Sequence, residues 1–471
     1  MSAAAHQRWI RYTDIRELRG PLLVVSGVTD IGWDEFVAIR LADGTVRHGV
    51  VLDADRDLAL VEVLEGTAAI DPARAAIEFT GAPFRIAVGP GWLGRVCNGR
   101  GEPLDGGPPV LGAPVAVSGA PLNPLRREPP AEPVLTGISV IDAMMTLVRG
   151  QKLPVFSVPG LPHLRLACQI AAQADAGGDP FSVVVAGLGL TNADAAYVRD
   201  VLQERGAAGE LVLLLNLADD PVIERLLTPR LALTVAESLA FGDATGAGGG
   251  RHVLVLLADM TNYAEALREV SAARGEIPSR RAYPGYLYSD LATLYERCGR
   301  ISGLPGSVTV LPVLTMPGGD ITHPVPDLTG YITEGQIVLS AQAQADDAYP
   351  PVDVLSSLSR LMRDGVGAER TRADHLPAAG QLFAALARAR QVRELSELIG
   401  TATLSEIDRA HLAFADAFTD ELMRQGHTEY RSLDETMDRA WRALATLPRG
   451  ALTMLPGELL DAHGVGTEEA K

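Results

Sequence analysis

The 471-residue sequence is poor in several features that would point to particular kinds of protein. It has three cysteines, Cys97, Cys168 and Cys298, widely separated and with no CxxC spacing. Neither a disulfide framework nor a thiolate zinc site is therefore expected. Cys298 follows Leu291 by seven residues and sits beside Leu294 and Tyr295, so a buried core thiol is expected there. The longest apolar runs, such as LVLLL and HVLVLLA, are far shorter than the roughly 20 residues that cross a bilayer. The opening MSAAAHQRWIRYTDIRELRG lacks the apolar centre of a secretory leader. Positive charge is scarce: 41 Lys and Arg against 59 Asp and Glu leave a net charge of −18. That excludes an ordinary nucleic-acid groove, which needs clustered Lys and Arg. The expectation is a reduced, cytoplasmic chain of two to four domains.

The features that are present divide the chain into a multidomain α/β protein of three parts. Residues 1–80 read as short strands (GPLLVVSGV, EFVAIRL, VRHGVVLDA, LALVEVLE) with a turn at Asp43-Gly44, which predicts a small β-barrel or sandwich, the barrel being the form that hides the sheet edges. The Pro/Gly-rich stretch 99–133 cannot be regular helix and is expected to be a covering loop or connector. Within 81–355, continuous apolar runs (LPVFSV, FSVVVAG, LVLLLNLA, HVLVLLAD, SVTVLPVLTM) alternate with helical segments. This predicts a parallel sheet covered on both faces. Thr191 with Asp194 opens one helix, and Tyr263, Leu267 and Val270 line a face of another. From about 355 strands give way to amphipathic helices, so 356–471 is expected to be a helical bundle with a polar tail. Its stripes are Leu412, Ala415, Phe418 and Leu422, then Leu433, Met437, Ala440, Trp441 and Leu444, the second opened by a capping box at Ser432 and Glu435.

The stretch LPVFSVPGLPHLRLACQI, residues 153–170, has the strand–loop–helix form of a phosphate loop without its chemistry. Such a loop wraps phosphates with glycine N–H groups, neutralises them with Lys, and holds Mg²⁺ through Ser or Thr. Here Ser157 stands at the first glycine, Gly160 lies inside, Pro162 takes the second glycine, His163 the lysine and Leu164 the hydroxyl. Pro162 has no N–H, and Leu164 cannot bind a cation. The next strand ends in Gly187, Leu188 and Gly189, with no carboxylate to activate water. Asp259, ending HVLVLLAD, is expected to be a vestige of a magnesium site or a helix cap. His323, in THPVP, has no spaced partner and is expected to hydrogen-bond within its loop rather than bind metal.

Long motifs then carry a resemblance. They are TGISVIDAMMTLVRGQKLPVFS, NLADDPVIERLLTPRLALTVAESLAF, LADMTNYAEALREVSAARGEIPSRRAYPGYLYSDLATLYER, HPVPDLTGYITEGQI and YPPVDVLSSLSRLM. With the C-terminal FADAF and SLDETMDRAWRALATLP, they resemble the non-catalytic B subunits of V/A-type rotary ATPases over nearly the whole chain. The resemblance implies a RecA-like domain for 81–355, and three copies alternating with three catalytic A subunits in a peripheral hexamer. Central and peripheral stalks would connect that hexamer to a membrane sector moving protons or sodium. It implies no nucleotide cofactor held by this chain alone, and Mg-ATP or Mg-ADP at the interface with the A subunit. It also implies that Arg360, in SSLSRLM, is an arginine finger for the neighbouring site; the alternative reading of the residues is a helix-start arginine in a local ion pair. Tyr349 matches an adenine-packing position but is expected to be structural. Val158, Pro159, Leu164 and Arg165 depart from the small or polar residues of relatives, so even residual nucleotide binding is not expected. The paired Arg280 and Arg281 fit an interface or stalk-facing loop. Two other classes, a catalytic NTPase and a hexameric RNA translocase, would both need an intact phosphate loop.

Overall fold

A computed structural model of the chain describes residues 10–242, 248–400 and 404–465. The extreme N-terminus and the end of the polar tail, 466–471, lie outside the described residues.

The first part is a seven-stranded antiparallel sheet. Its strands are Ile10–Tyr12, Ile15–Arg19, Leu22–Ser26, Glu35–Arg40, Val46–Asp55, Leu58–Val63 and Ala76–Pro83. Alternation turns Leu23, Val25, Val37, Ile39, Val51, Val61, Ile77 and Phe79 onto one shared core. On the other face, Leu22, Val50 and Leu52 pack against the central part.

Glu62 lies on that second face, 3% exposed, with its Oε2 unpartnered. Burial pushes its carboxyl up to about 7; Arg274 opposes the shift and Glu269 adds to it. A folded-state pKa above the ordinary 4.5 means that this group favours folding most below pH 4.5. That advantage is lost as pH rises through 7. Glu62→Gln should therefore stabilise the protein at pH 8, by an amount on the order of 3 kcal/mol, and barely change it at pH 4.5. Identical shifts of the melting curve at both pH values would refute this.

The central sheet places its strands, edge to edge, in the order Leu358–Ser359, Gly335–Val338, Val155–Ser157, Ser307–Thr315, His252–Ala258, Phe181–Leu190, Leu211–Leu217 and Val96–Asn98. Along this path all neighbours are parallel except Leu358–Ser359, which runs antiparallel to Gly335–Val338; off the path, Gly299–Ile301 pairs antiparallel with Ser307–Thr315 and with Arg127–Glu128. In Phe181–Leu190, Val183 and Val185 join one buried cluster while Val184, Ala186 and Leu188 join the other. Both faces are thus dry, which is why these strands read as unbroken apolar runs. Thr191 caps the helix Asn192–Val201 by accepting from the Asp194 amide at 3.1 Å, as expected. All three cysteines are buried and free, and burial pushes the Cys298 thiol up to about 12.

The C-terminal helices are His375–Ile399, Glu406–Phe418 and Leu433–Leu444. Ser432 caps the last one through the Glu435 amide at 3.2 Å, and Met437, Ala440, Trp441 and Leu444 are buried. The stripe on Glu406–Phe418 differs from expectation. His411, Phe414 and Phe418 are its buried residues, whereas Leu412 and Ala415 are half-exposed. The bulky Phe414 sets which face turns inward, and the following Thr419–Met423 forms a π turn that re-aims Leu422 into the core. The strand Leu358–Ser359 also lies beyond the last segment legible as strand, because two residues carry no alternation. No helix among the described residues is long and apolar enough to cross a membrane.

Candidate functional site

The strand Val155–Ser157 is fully buried and delivers the chain into the loop 158–162, from which the helix His163–Gln173 begins. The loop spends its amides on itself. Leu161 N–H donates to Val158 O at 3.3 Å and His163 N–H to Leu161 O at 2.9 Å. Pro162 occupies the N-cap position with no side-chain cap. His163 Nδ1 lies 3.0 Å from Leu161 O, and Ser157 Oγ donates to Val158 O at 3.0 Å. Leu164 leans against the core, while Pro159, Gly160 and Arg165 are exposed. Gly160, at φ +91°, keeps the turn the loop needs, with open space around its α-carbon. A phosphate group would meet two amides already bonded within the loop, a proline, and a leucine in place of a magnesium ligand. These residues do not fit Mg-ATP.

The neighbouring strand end is closed too. Asn262 Nδ2 donates to Leu188 O at 2.9 Å, Asn216 Oδ1 accepts from Gly189 N–H at 3.1 Å, and Arg225 Nε donates to the same Oδ1 at 2.9 Å. A β-carbon on Gly189 would sit 2.9 Å from Arg225 Nε. The space where a catalytic carboxylate would project is filled by this Asn–Arg network. Sequence reasoning did not find it; the one signal was Asn216, a polar residue inside the apolar run LVLLLNLA.

Asp259 caps the helix Met260–Ala273. Its Oδ1 accepts from Thr261 N–H at 2.8 Å and from Thr315 N–H at 3.2 Å, and Oδ2 accepts from Thr315 Oγ1. Both oxygens are engaged in joining this helix to the strand Ser307–Thr315. His323 caps Pro324–Ile332 through the Val325 amide at 3.4 Å. Among the described residues, no cluster of three or more His, Cys, Asp or Glu could hold a metal. Tyr349 stacks edge-on against His427, 3.9 Å between ring centres, and its carbonyl accepts from Gln425 N–H at 2.8 Å. It thereby joins the central part to the C-terminal one. Arg280 and Arg281 pair with Asp327 and Asp320.

Arg360 behaves differently from the other arginines discussed here. Its backbone N–H donates to Glu334 O at 3.0 Å, continuing the edge pairing of Ser359 with Gly335. Its exposed side chain makes one long hydrogen bond, NH1 to Thr333 O at 3.5 Å, and no carboxylate among the described residues lies within 4.0 Å. It follows the strand Leu358–Ser359 and stands just before Leu361, the N-cap of the short helix Met362–Gly365, so the part of the alternative that the structure leaves out is the ion pair. Register fixes which end of the sheet it leaves from. Val155 pairs with Ile337, and Gly335, two residues earlier on that parallel strand, pairs with Ser359. Arg360 therefore emerges at the N-terminal end of Val155–Ser157, while the phosphate-type loop leaves the C-terminal end. At about 3.3 Å per residue the separation is roughly 16 Å, more than an arginine side chain spans.

A nucleotide-type sheet behind a barrel, a closed phosphate loop and an exposed arginine on the far edge define a class. The chain belongs to the ATP synthase alpha/beta family. That family's nucleotide-binding domain matches residues 137–359 and its beta-barrel domain residues 15–81. The C-terminal domain of V and A type ATP synthase matches residues 364–463. Within the family the chain stands with the B subunits of the V and A type. It is 50% identical to the B subunit of the A-type ATP synthase of Aeropyrum pernix over 455 residues, 96% of this chain and 97% of that one. The solved structure of the ATP synthase subunit NeqB from Nanoarchaeum equitans is 37% identical, with a TM-score of 0.70 over 90% of this chain and 98% of that one.

Proposed function

We propose that this chain is the non-catalytic B subunit of a V/A-type rotary ATPase or ATP synthase. It alternates with catalytic A subunits in a hexamer that couples ATP hydrolysis or synthesis to proton or sodium transport. Nucleotide sits at the interface with the A subunit, and Arg360 reaches across to it. The supporting observation is the position of Arg360: exposed, without a carboxylate partner among the described residues, and at the opposite end of the sheet from its own loop. A guanidinium so placed serves a site on another chain or none. Its planar, always charged fork suits charge spread over γ-phosphate oxygens. The closed loop supports the same division of labour, with chemistry on the neighbour and scaffold here.

The test is purification with and without a catalytic A-type subunit. Alone, the chain should show no Mg-ATP binding by calorimetry and no turnover. Mixed with the A subunit, it should form alternating hexamers whose turnover requires both chains. Micromolar, Mg²⁺-dependent binding to the isolated chain, or hexamers of this chain that hydrolyse ATP unaided, would overturn the proposal.

A further inference from the structure

Beneath Arg360 the sheet edge is braced by polar groups that the proposed function leaves unused. Lys152 and Lys471 are the only lysines in the sequence, and Lys152 is 2% exposed. Its Nζ lies 2.6 Å from Glu334 Oε1 and 3.5 Å from Glu296 Oε1, and its backbone N–H donates to Glu334 Oε2 at 2.8 Å. Glu334 N–H returns a bond to Lys152 O at 2.9 Å. The carbonyl of Glu334 is the group on which Arg360 N–H rests, and it also accepts from Gln151 Nε2 at 3.1 Å. The same Nε2 donates to Ser359 Oγ at 2.9 Å, and Ser359 Oγ donates to Thr146 O at 3.1 Å. Residues 334 and 359, on either side of the edge pairing, are thus both tied to the buried segment 146–152.

We infer that Gln151, Lys152 and Glu334 are positioning residues for Arg360, fixing the point and direction at which its side chain leaves the sheet. A two-residue edge strand holds only a short ladder, so the backbone before Arg360 has little else to define its place. Buried ion pairs and satisfied amides fix one geometry at a cost in desolvation, which suits a position where geometry is the requirement. A displacement of about 1 Å at a reacting centre can lower a rate roughly 100-fold. The inference rests on the proposed role of Arg360, and its test separates the two.

The test uses hexamers assembled with a catalytic A-type subunit, with Mg-ATP turnover as the readout. Gln151→Met keeps the side-chain volume and removes both donated bonds; Glu334→Gln removes the charge facing Lys152. Each assembled variant should lose roughly 10- to 100-fold in kcat, with KM for Mg-ATP within about twofold, because ground-state binding belongs to the neighbour. In an Arg360→Ala background, measured in single turnover, the same substitutions should change the residual rate less than about threefold, since groups acting as a unit are not additive. A merely structural role would instead lower hexamer yield and act equally in both backgrounds. Should Glu334→Gln fail to assemble, Gln151→Met decides. Wild-type kcat in Gln151→Met hexamers, or an undiminished loss in the Arg360→Ala background, would overturn the inference while leaving the finger intact. Full turnover by Arg360→Ala hexamers would remove both.

Discussion

Arg360→Ala should leave the subunit folded and the hexamer assembled while ATP turnover falls by about 10³ to 10⁵, the range of arginine fingers in phosphoryl transfer. The fold loses nothing it depends on, because among the described residues the exposed guanidinium has a single 3.5 Å bond, to Thr333 O, and no ion pair. A change of exposed side chain of this kind is worth no more than about 0.5 kcal/mol of stability. ATP affinity should change far less than the rate, since the charge that Arg360 meets develops in the transition state. Arg360→Lys should recover little: a shorter side chain ending in a point ammonium cannot reproduce the planar fork. The alternative, a surface arginine in a local ion pair, predicts a small loss of melting temperature and near-normal turnover. Melting temperature, hexamer yield and single-site turnover on one preparation distinguish them. Assembled Arg360→Ala hexamers with most of their turnover would end the assignment.

How much of this was legible in the sequence depended on whether a residue's role is local or set by distant contacts. The parallel sheet was legible because its strands are dry on both faces, and five or six apolar residues in a row, repeated between helical segments, have few other homes. The caps at Thr191 and Ser432 were legible because a cap bonds an amide three residues away. The failed phosphate loop was legible because proline lacks a donor wherever it is placed. The Asn216–Arg225–Asn262 network was not, since its bonds join two strands and two helices spread along the chain. Nor was the stripe on Glu406–Phe418, where 3.6-residue spacing allows two overlapping faces and tertiary packing chose the one with Phe414. The resemblance named Arg360. Only the register of Gly335 with Ser359 supplied a physical reason for it to act away from its own loop.

Arg297 is the clearest residue of that second kind, and replacing it should have the largest effect on stability. In the sequence it is one arginine in YERCGR, overshadowed by the thiol beside it. In the structure it is fully buried. Its guanidinium donates to both Glu237 oxygens at 2.8 and 2.7 Å, to Val117 O at 3.1 Å, to Arg230 O at 3.2 Å and to Thr234 Oγ1 at 2.8 Å. It thereby ties the Pro/Gly-rich stretch at Val117 to the helix Val222–Phe241. The approach is close enough that a β-carbon on Gly119, at φ +58°, would sit 2.2 Å from its Cζ. Arg297→Met removes every one of these bonds and strands a carboxylate. Breaking a buried pair by removing one partner costs about 3–5 kcal/mol, and the partial exposure of Glu237, 23%, lets water reduce that toward the lower value. The melting temperature should fall by roughly 3–5 °C. Adding Glu237→Leu should recover part of the loss, because the stranded charge goes while the volume stays filled. Arg297→Lys should recover less, as one ammonium cannot fork to a carboxylate and two carbonyls. Below the melting transition, assembled hexamers should turn over ATP almost normally, which separates this anchor from Arg360. A loss of less than about 1 kcal/mol in Arg297→Met, or a double variant no more stable than the single one, would show that the stretch is held by something other than this guanidinium.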